Sequence, residues 1–175
     1  TKVSDTLIEV KGKKGKLWQP QNYDKKEHGE VEFHSALAHS YILATVHIGM
    51  DIGVARIAKT LRNLGVSRRV NLFPSLLLGA SPLTPLEVTQ MYQTLAGDGF
   101  ATPLRSIRAV VAKDGGRLQS YPYTIRQAVD PAATYITNKI LQEVMEIGTG
   151  RSAYLYMPKG FGLVGKTGTT NKLRD

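Results

Sequence analysis

Cysteine is absent from these 175 residues. That removes three chemistries at once: a disulfide framework, a zinc–thiolate centre and a cysteine nucleophile. Long apolar runs are missing too, since the best candidate, Leu72 to Leu86, is interrupted by prolines and serines and falls short of a membrane span. No signal-peptide pattern opens the chain, which starts Thr-Lys-Val rather than with Met, and the expectation is an internal segment of something longer. Acidic residues are few, 14 against 23 basic ones, and no two carboxylates sit close together in a context that suggests paired acid–base work. His34, His39 and His47 are five and eight positions apart, which does not give the i, i+4 pair of a helical zinc site. Surface or capping roles are their default, and neither a metal nor a cofactor is expected.

What is present suits a globular chain. A hydrophobic fraction of 42% argues against disorder, and the length is enough for one domain with a real core. The net charge of +9 makes nucleic acid the generic candidate partner. However, the cluster Lys11, Lys13, Lys14 and Lys16, spaced by Gly12 and Gly15, lacks interleaved aromatics and reads best as a solvated hairpin tip. No nucleic acid is expected.

Periodicity and punctuation give a mixed fold. Leu7–Val10 and Leu17–Pro20 read as short strands flanking the basic tip, and Gln21 to Asp24 as loop. The pattern turns helical from Phe33 and restarts around Thr45. Asp51 then opens a helix whose stripe is Val54, Ile57, Ala58, Leu61 and Leu64, stopped by Gly65. Thr84-Pro85-Leu86-Glu87 is a capping box with proline at the first helical position. Residues 106–112 and 117–121 form a hairpin through Lys113-Asp114-Gly115-Gly116, and Asp130-Pro131 starts the longest helix, ended by Gly148. The class is α+β, helices packed on a sheet that is antiparallel.

The most specific segment lies near the end: Lys166-Thr167-Gly168-Thr169-Thr170. Carried on a strand, it would point Thr167 and Thr169 to one side and Lys166, Gly168 and Thr170 to the other. Two hydroxyls on one side can bond a carboxylate, Lys166 supplies positive potential, and Gly168 removes bulk where a backbone must pass close. The same stretch, Gly160 to Thr167, also satisfies the phosphate-loop pattern G-x-x-x-x-G-K-[ST]. That nucleotide-hydrolase reading needs a helix beginning at Lys166, yet Gly168 and a polar stretch follow. A basic binding module without catalysis is the third reading.

The Lys-Thr-Gly run has company. In order come Trp18-Gln19-Pro20-Gln21-Asn22-Tyr23-Asp24, Ala36-Leu37-Ala38-His39-Ser40-Tyr41, Leu77-Leu78-Gly79-Ala80 with Leu83 to Val88, and Gly148-Thr149-Gly150-Arg151. Together they resemble the transpeptidase domain of bifunctional class A penicillin-binding proteins across essentially the whole chain. The resemblance implies peptidoglycan cross-linking through a serine acyl-enzyme, at the periplasmic face of the inner membrane, with stem peptides and β-lactams as partners. It also implies an anchoring membrane segment and a glycosyltransferase half outside these residues. Its three motifs are Ser-x-x-Lys, Ser-x-Asn and Lys-Thr-Gly-[ST]. Motif three falls on Lys166, Thr167, Gly168 and Thr169. The hydroxyls of Thr167 and Thr169 would hold the substrate carboxylate, and Lys166 would polarise the motif-two serine, Ser40, a proton relay.

Two departures stand beside the match. No serine is followed three positions later by lysine, so the nucleophile is absent from the chain. Residues 1–175 are therefore expected to be a partial transpeptidase domain, incomplete at both ends. It would lack the upstream Ser-x-x-Lys segment and the strands after the Lys-Thr-Gly strand, and be inactive alone. Motif two reads Ser40-Tyr41-Ile42, with isoleucine where the family places asparagine. Losing such a hydrogen-bond partner costs about 1–3 kcal/mol.

Overall fold

The computed structural model describes residues 1–12, 15–158 and 160–169, and divides the chain into two compact units. The first comprises residues 1–58, 70–82 and 135–175; the second comprises 59–69 and 83–134.

In the first unit, β1 (Lys2–Asp5) pairs antiparallel with β4 (Gly29–Glu32), Val3 opposite Val31 and Asp5 opposite Gly29. Between them β2 (Val10–Lys11) and β3 (Leu17–Trp18) make the expected basic hairpin, shorter than its apolar runs suggested. Lys13 and Lys14 at its tip lie outside the described residues. Helix α1 (Phe33–Ala38) packs on both β1 and β4, and α2 (Ile42–Ile52) on β1. Ala36, Ala38, Leu43, Ala44, Val46, Leu76, Leu141 and Val144 form the buried core. Gly49 on α2 lets the 3₁₀ turn Pro74–Leu78 come close, because a Cβ there would lie 2.6 Å from a Leu77 methyl.

Helix α2 has an unusual beginning. Its N-cap, Tyr41, makes no side-chain cap bond, so the orphan N–H groups of the first turn need partners from elsewhere. Asn22 Oδ1 accepts from Ile42 N at 2.7 Å and Leu43 N at 3.3 Å, and Asp5 Oδ1 accepts from Ala44 N at 2.9 Å. Asp51 does not open the next helix. It stays within α2, and Gly53, at φ 92°, makes the break before α3 (Val54–Asn63).

In the second unit, α4 (Pro85–Ala96) starts at the full capping box: Thr84 Oγ1 accepts from Glu87 N at 3.2 Å, and Thr84 N donates to Glu87 Oε2 at 2.9 Å. Strands β5 (Phe100–Ala101) and β8 (Arg126–Gln127) pair, as do β6 (Ala109–Val111) and β7 (Arg117–Ser120), the second pair being the expected hairpin. Helix α5 (Pro131–Glu146) begins here and from Tyr135 onward belongs to the first unit, as does the 3₁₀ turn at Arg151–Leu155 that follows it. The class is α+β with antiparallel pairing, but the strands among the described residues form four separate two-stranded ladders.

Candidate active site

Ser40 closes α1. Ser40 N donates to Leu37 O at 3.2 Å and Tyr41 N to Ala36 O at 2.9 Å, the bond pair of a Schellman motif. The residue at its left-handed position is normally glycine; here Ser40 occupies it at φ 59°. The site thus places a hydroxyl where the backbone prefers none.

Lys166 reaches that hydroxyl from 126 positions away. Its Nζ donates to Ser40 Oγ and, at 3.1 Å, to Thr167 O. The ammonium is half-buried, and this burial lowers its pKa from the ordinary lysine value. Thr149 supplies a further hydroxyl: its Oγ1 lies 2.6 Å from Thr167 Oγ1 and 3.5 Å from Ser40 Oγ. Lys166, Ser40, Thr149 and Thr167 therefore form a continuous polar chain. The strict alternation expected for Lys166 and Thr167 presupposes a strand, and these residues form none.

Gly148 and Gly150 explain how Thr149 gets there. A Cβ on Gly148 would sit 2.1 Å from Ala38 O, and one on Gly150 would sit 2.5 Å from Met145 Sδ. Glycine at 148 lets this turn lie against the end of α1, where Thr149 N donates to Ala38 O at 3.2 Å, while Gly150 faces the flexible Met145 side chain. In the sequence Gly148-Thr149-Gly150 marks Thr149 only by the glycine on either side.

The Lys-Thr-Gly segment departs from its expected form. Residues 162–169 belong to no strand, because no other described segment runs alongside to complete a ladder. Its lead-in is held by Leu163 N donating to Tyr154 Oη at 3.2 Å and Gly165 N donating to Leu141 O at 3.4 Å. A Cβ on Gly168 would meet nothing within 4 Å among the described residues, so none of their backbone passes close there. Gly168 and Thr169 are exposed, and Thr170 lies outside the described residues. Ile42 is the first residue of α2, two positions after Ser40. No helix begins at Lys166, which leaves Gly160 to Thr167 without the N-terminal helix dipole a phosphate loop needs.

The histidines serve structure. His34 Nδ1 lies 2.7 Å from Glu143 Oε2, His39 Nδ1 3.0 Å from Ser35 O, and His47 Nε2 3.1 Å from Thr6 O. The His28 Nδ1 lies 2.6 Å from Asp5 Oδ2, and this bond holds its pKa above the usual imidazole value. A cavity of about 530 Å³ in the second unit, lined by Arg105, Arg108, Arg117, Ser120, Tyr121 and Tyr123 among others, holds none of the motif residues.

Residues 2–175 match the family described as penicillin binding protein transpeptidase domain. The chain belongs to this penicillin-binding protein family. Among curated relatives, it is 40% identical over its full length to penicillin-binding protein 1B of Vibrio cholerae, covering 22% of that protein. It is 41% identical to the Escherichia coli protein of the same name, covering 21%, and 33% identical to penicillin-binding protein 1A of Neisseria meningitidis, covering 23%. It thus spans only about a fifth of the relatives' length. The fold agrees with penicillin-binding protein 1A of Haemophilus influenzae at TM-score 0.85 and 19% identity, over 97% of this chain and 31% of that one. It also agrees with an imipenem acyl-enzyme complex of penicillin-binding protein A from Mycobacterium tuberculosis, at TM-score 0.79 and 16% identity, over 98% of this chain and 43% of that one. The penicillin-binding family therefore replaces both the phosphate-loop and the basic-module readings.

Proposed function

We propose that these residues supply two of the three motif-bearing walls of a D,D-transpeptidase that cross-links peptidoglycan through a serine acyl-enzyme. The observation that carries this reading is the Lys166 to Ser40 hydrogen bond, made across 126 positions beside the Thr149 and Thr167 hydroxyls. In this reading Ser40 relays a proton to the leaving amine and recovers it from Lys166, whose burial makes the ammonium a readier donor. Thr167 and Thr169 receive the terminal carboxylate of a stem peptide or the carboxylate of a β-lactam. The Thr169 N–H gives half of the oxyanion hole, a donor typically worth about 3 kcal/mol of barrier.

The acylating serine and its lysine come from sequence outside these residues, as do a glycosyltransferase half and a membrane anchor at the periplasmic face of the inner membrane. The missing Ser-x-x-Lys and the small share of each relative that the chain covers support this division. A fluorescent penicillin tests it. The isolated chain should show no covalently labelled band on a denaturing gel, whereas the full-length protein should be labelled and lose that label to unlabelled drug. Competed labelling of the isolated chain would place the nucleophile within these 175 residues and overturn the division.

A further inference from the structure

We propose that Asn22, acting with Asp5 and His28, is a positioning residue for Ser40. The inference rests on the reading of Ser40 as proton relay and extends it to a buried network that touches neither Ser40 nor Lys166. Ser40 sits in a left-handed conformation that a non-glycine residue keeps only when its surroundings over-determine it. On its upstream side the Schellman bonds of α1 do so. On its downstream side the residues that follow, Tyr41 to Ala44, are pinned one after another. The Tyr41 ring stacks on the His28 ring at 4.1 Å and 11°. Ile42 N and Leu43 N donate to Asn22 Oδ1, and Ala44 N donates to Asp5 Oδ1.

These anchors are joined to one another. Asn22 Nδ2 donates to Asp5 Oδ2 at 2.7 Å and to Lys26 O at 2.8 Å, while His28 N and Nδ1 lie 3.2 and 2.6 Å from Asp5 Oδ2. Asp5 is 0% and Asn22 4% exposed, so each group lost here leaves buried polar atoms unpaired rather than rewetted. Position 22 requires an amide: it must accept from two helix N–H groups and donate to a carboxylate and a carbonyl at once. Aspartate cannot donate and would face Asp5; leucine can do neither. With these ties gone, the first turn of α2 frays and Ser40 relaxes out of the left-handed region, carrying its hydroxyl off the Lys166 ammonium.

The test uses the full-length protein that carries these residues and the rate constant for acylation by a fluorescent penicillin, resolved into pre-acylation affinity and the acylation step. Asn22→Ala should slow the acylation step at least tenfold with affinity little changed, and in a Ser40→Ala background it should add nothing, because both changes disable the same group. Thr84→Ala, a destabilising change in the second unit, controls for stability alone and should leave the step untouched. If Asn22→Ala does not fold, His28→Phe decides: it keeps a ring against Tyr41, loses the bonds to Asp5, and should slow the step about threefold. Wild-type acylation in a folded Asn22→Ala or His28→Phe, or a further full loss in the Ser40→Ala background, overturns the positioning role. Wild-type acylation in Ser40→Ala alone instead overturns the relay reading beneath it.

Discussion

Ser40 and Ile42 lie two positions apart yet answer to different constraints. Ser40 is fixed by backbone, through a left-handed φ and the bond from its N–H to Leu37 O that closes α1. Ile42 is fixed through its N–H, which binds Asn22 whatever side chain the residue carries. An asparagine at position 42 would therefore inherit the same backbone and add the amide the family's motif two expects. Ile42→Asn in the full-length protein should speed acylation by about tenfold or more, since one decade of rate is about 1.4 kcal/mol and a regained polar contact is of that size. Stopped-flow acylation of the two forms checks this, and equal rates would mean that position 42 does not face the substrate.

At the scale of elements, the best-determined feature is the start of α4. Thr84 caps the Glu87 N–H, so Thr84→Ala should lower stability by about 1 kcal/mol in urea unfolding at neutral pH. Glu87 adds a pH dependence. The Thr84 N–H, and then Arg68 Nε at 2.9 Å, hold its carboxyl at about 2, below the unfolded value of 4.5. Because the folded pKa is the lower one, this contribution is complete above 4.5 and is lost as pH falls toward 2. Glu87→Gln should flatten stability across that window, and an unchanged slope would show the ion pair to be unimportant. The glycine turn gives a harsher case. Gly148→Ala drives a methyl into Ala38 O and should cost about 2 kcal/mol or more in the same assay, with loss of the Thr149 contact.

Features of this local kind were legible beforehand. The capping box, the Asp114-Gly115 hairpin and the Asp130-Pro131 start each declare themselves within four residues. The pairing of β1 with β4 did not, because Lys2–Asp5 carries no clear alternation and its partner begins at Gly29. Asn22 was legible only as loop, since nothing local marks an amide whose partners are Asp5, Lys26 and the start of α2. Within the candidate site, Ser40 and Lys166 could be named from motif resemblance alone. Thr149 could not be given a role, because its contacts exist only after α1 and the Gly-Thr-Gly turn meet.

At the scale of the whole chain, apolar exposure and charge oppose each other. Leu118, Tyr123 and Ile125 in the second unit, and Leu155 and Tyr156 in the first, each leave about two thirds or more of their surface in water. Among the described residues every ladder is two-stranded, so each strand is an edge strand, a template for pairing with another chain. Against this stands a net charge of +9, which keeps copies apart only across a distance set by ionic strength. The screening length is about 30 Å at 0.01 M salt and about 8 Å at 0.15 M, so the repulsion fades while the apolar and edge attractions persist. The isolated chain should therefore sediment or scatter as a monomer at low salt and associate as sodium chloride is raised through 0.15 to 0.5 M. Light scattering across that series is the measurement. A monodisperse monomer at every salt concentration would show that the exposed side chains and ladder edges are not adhesive.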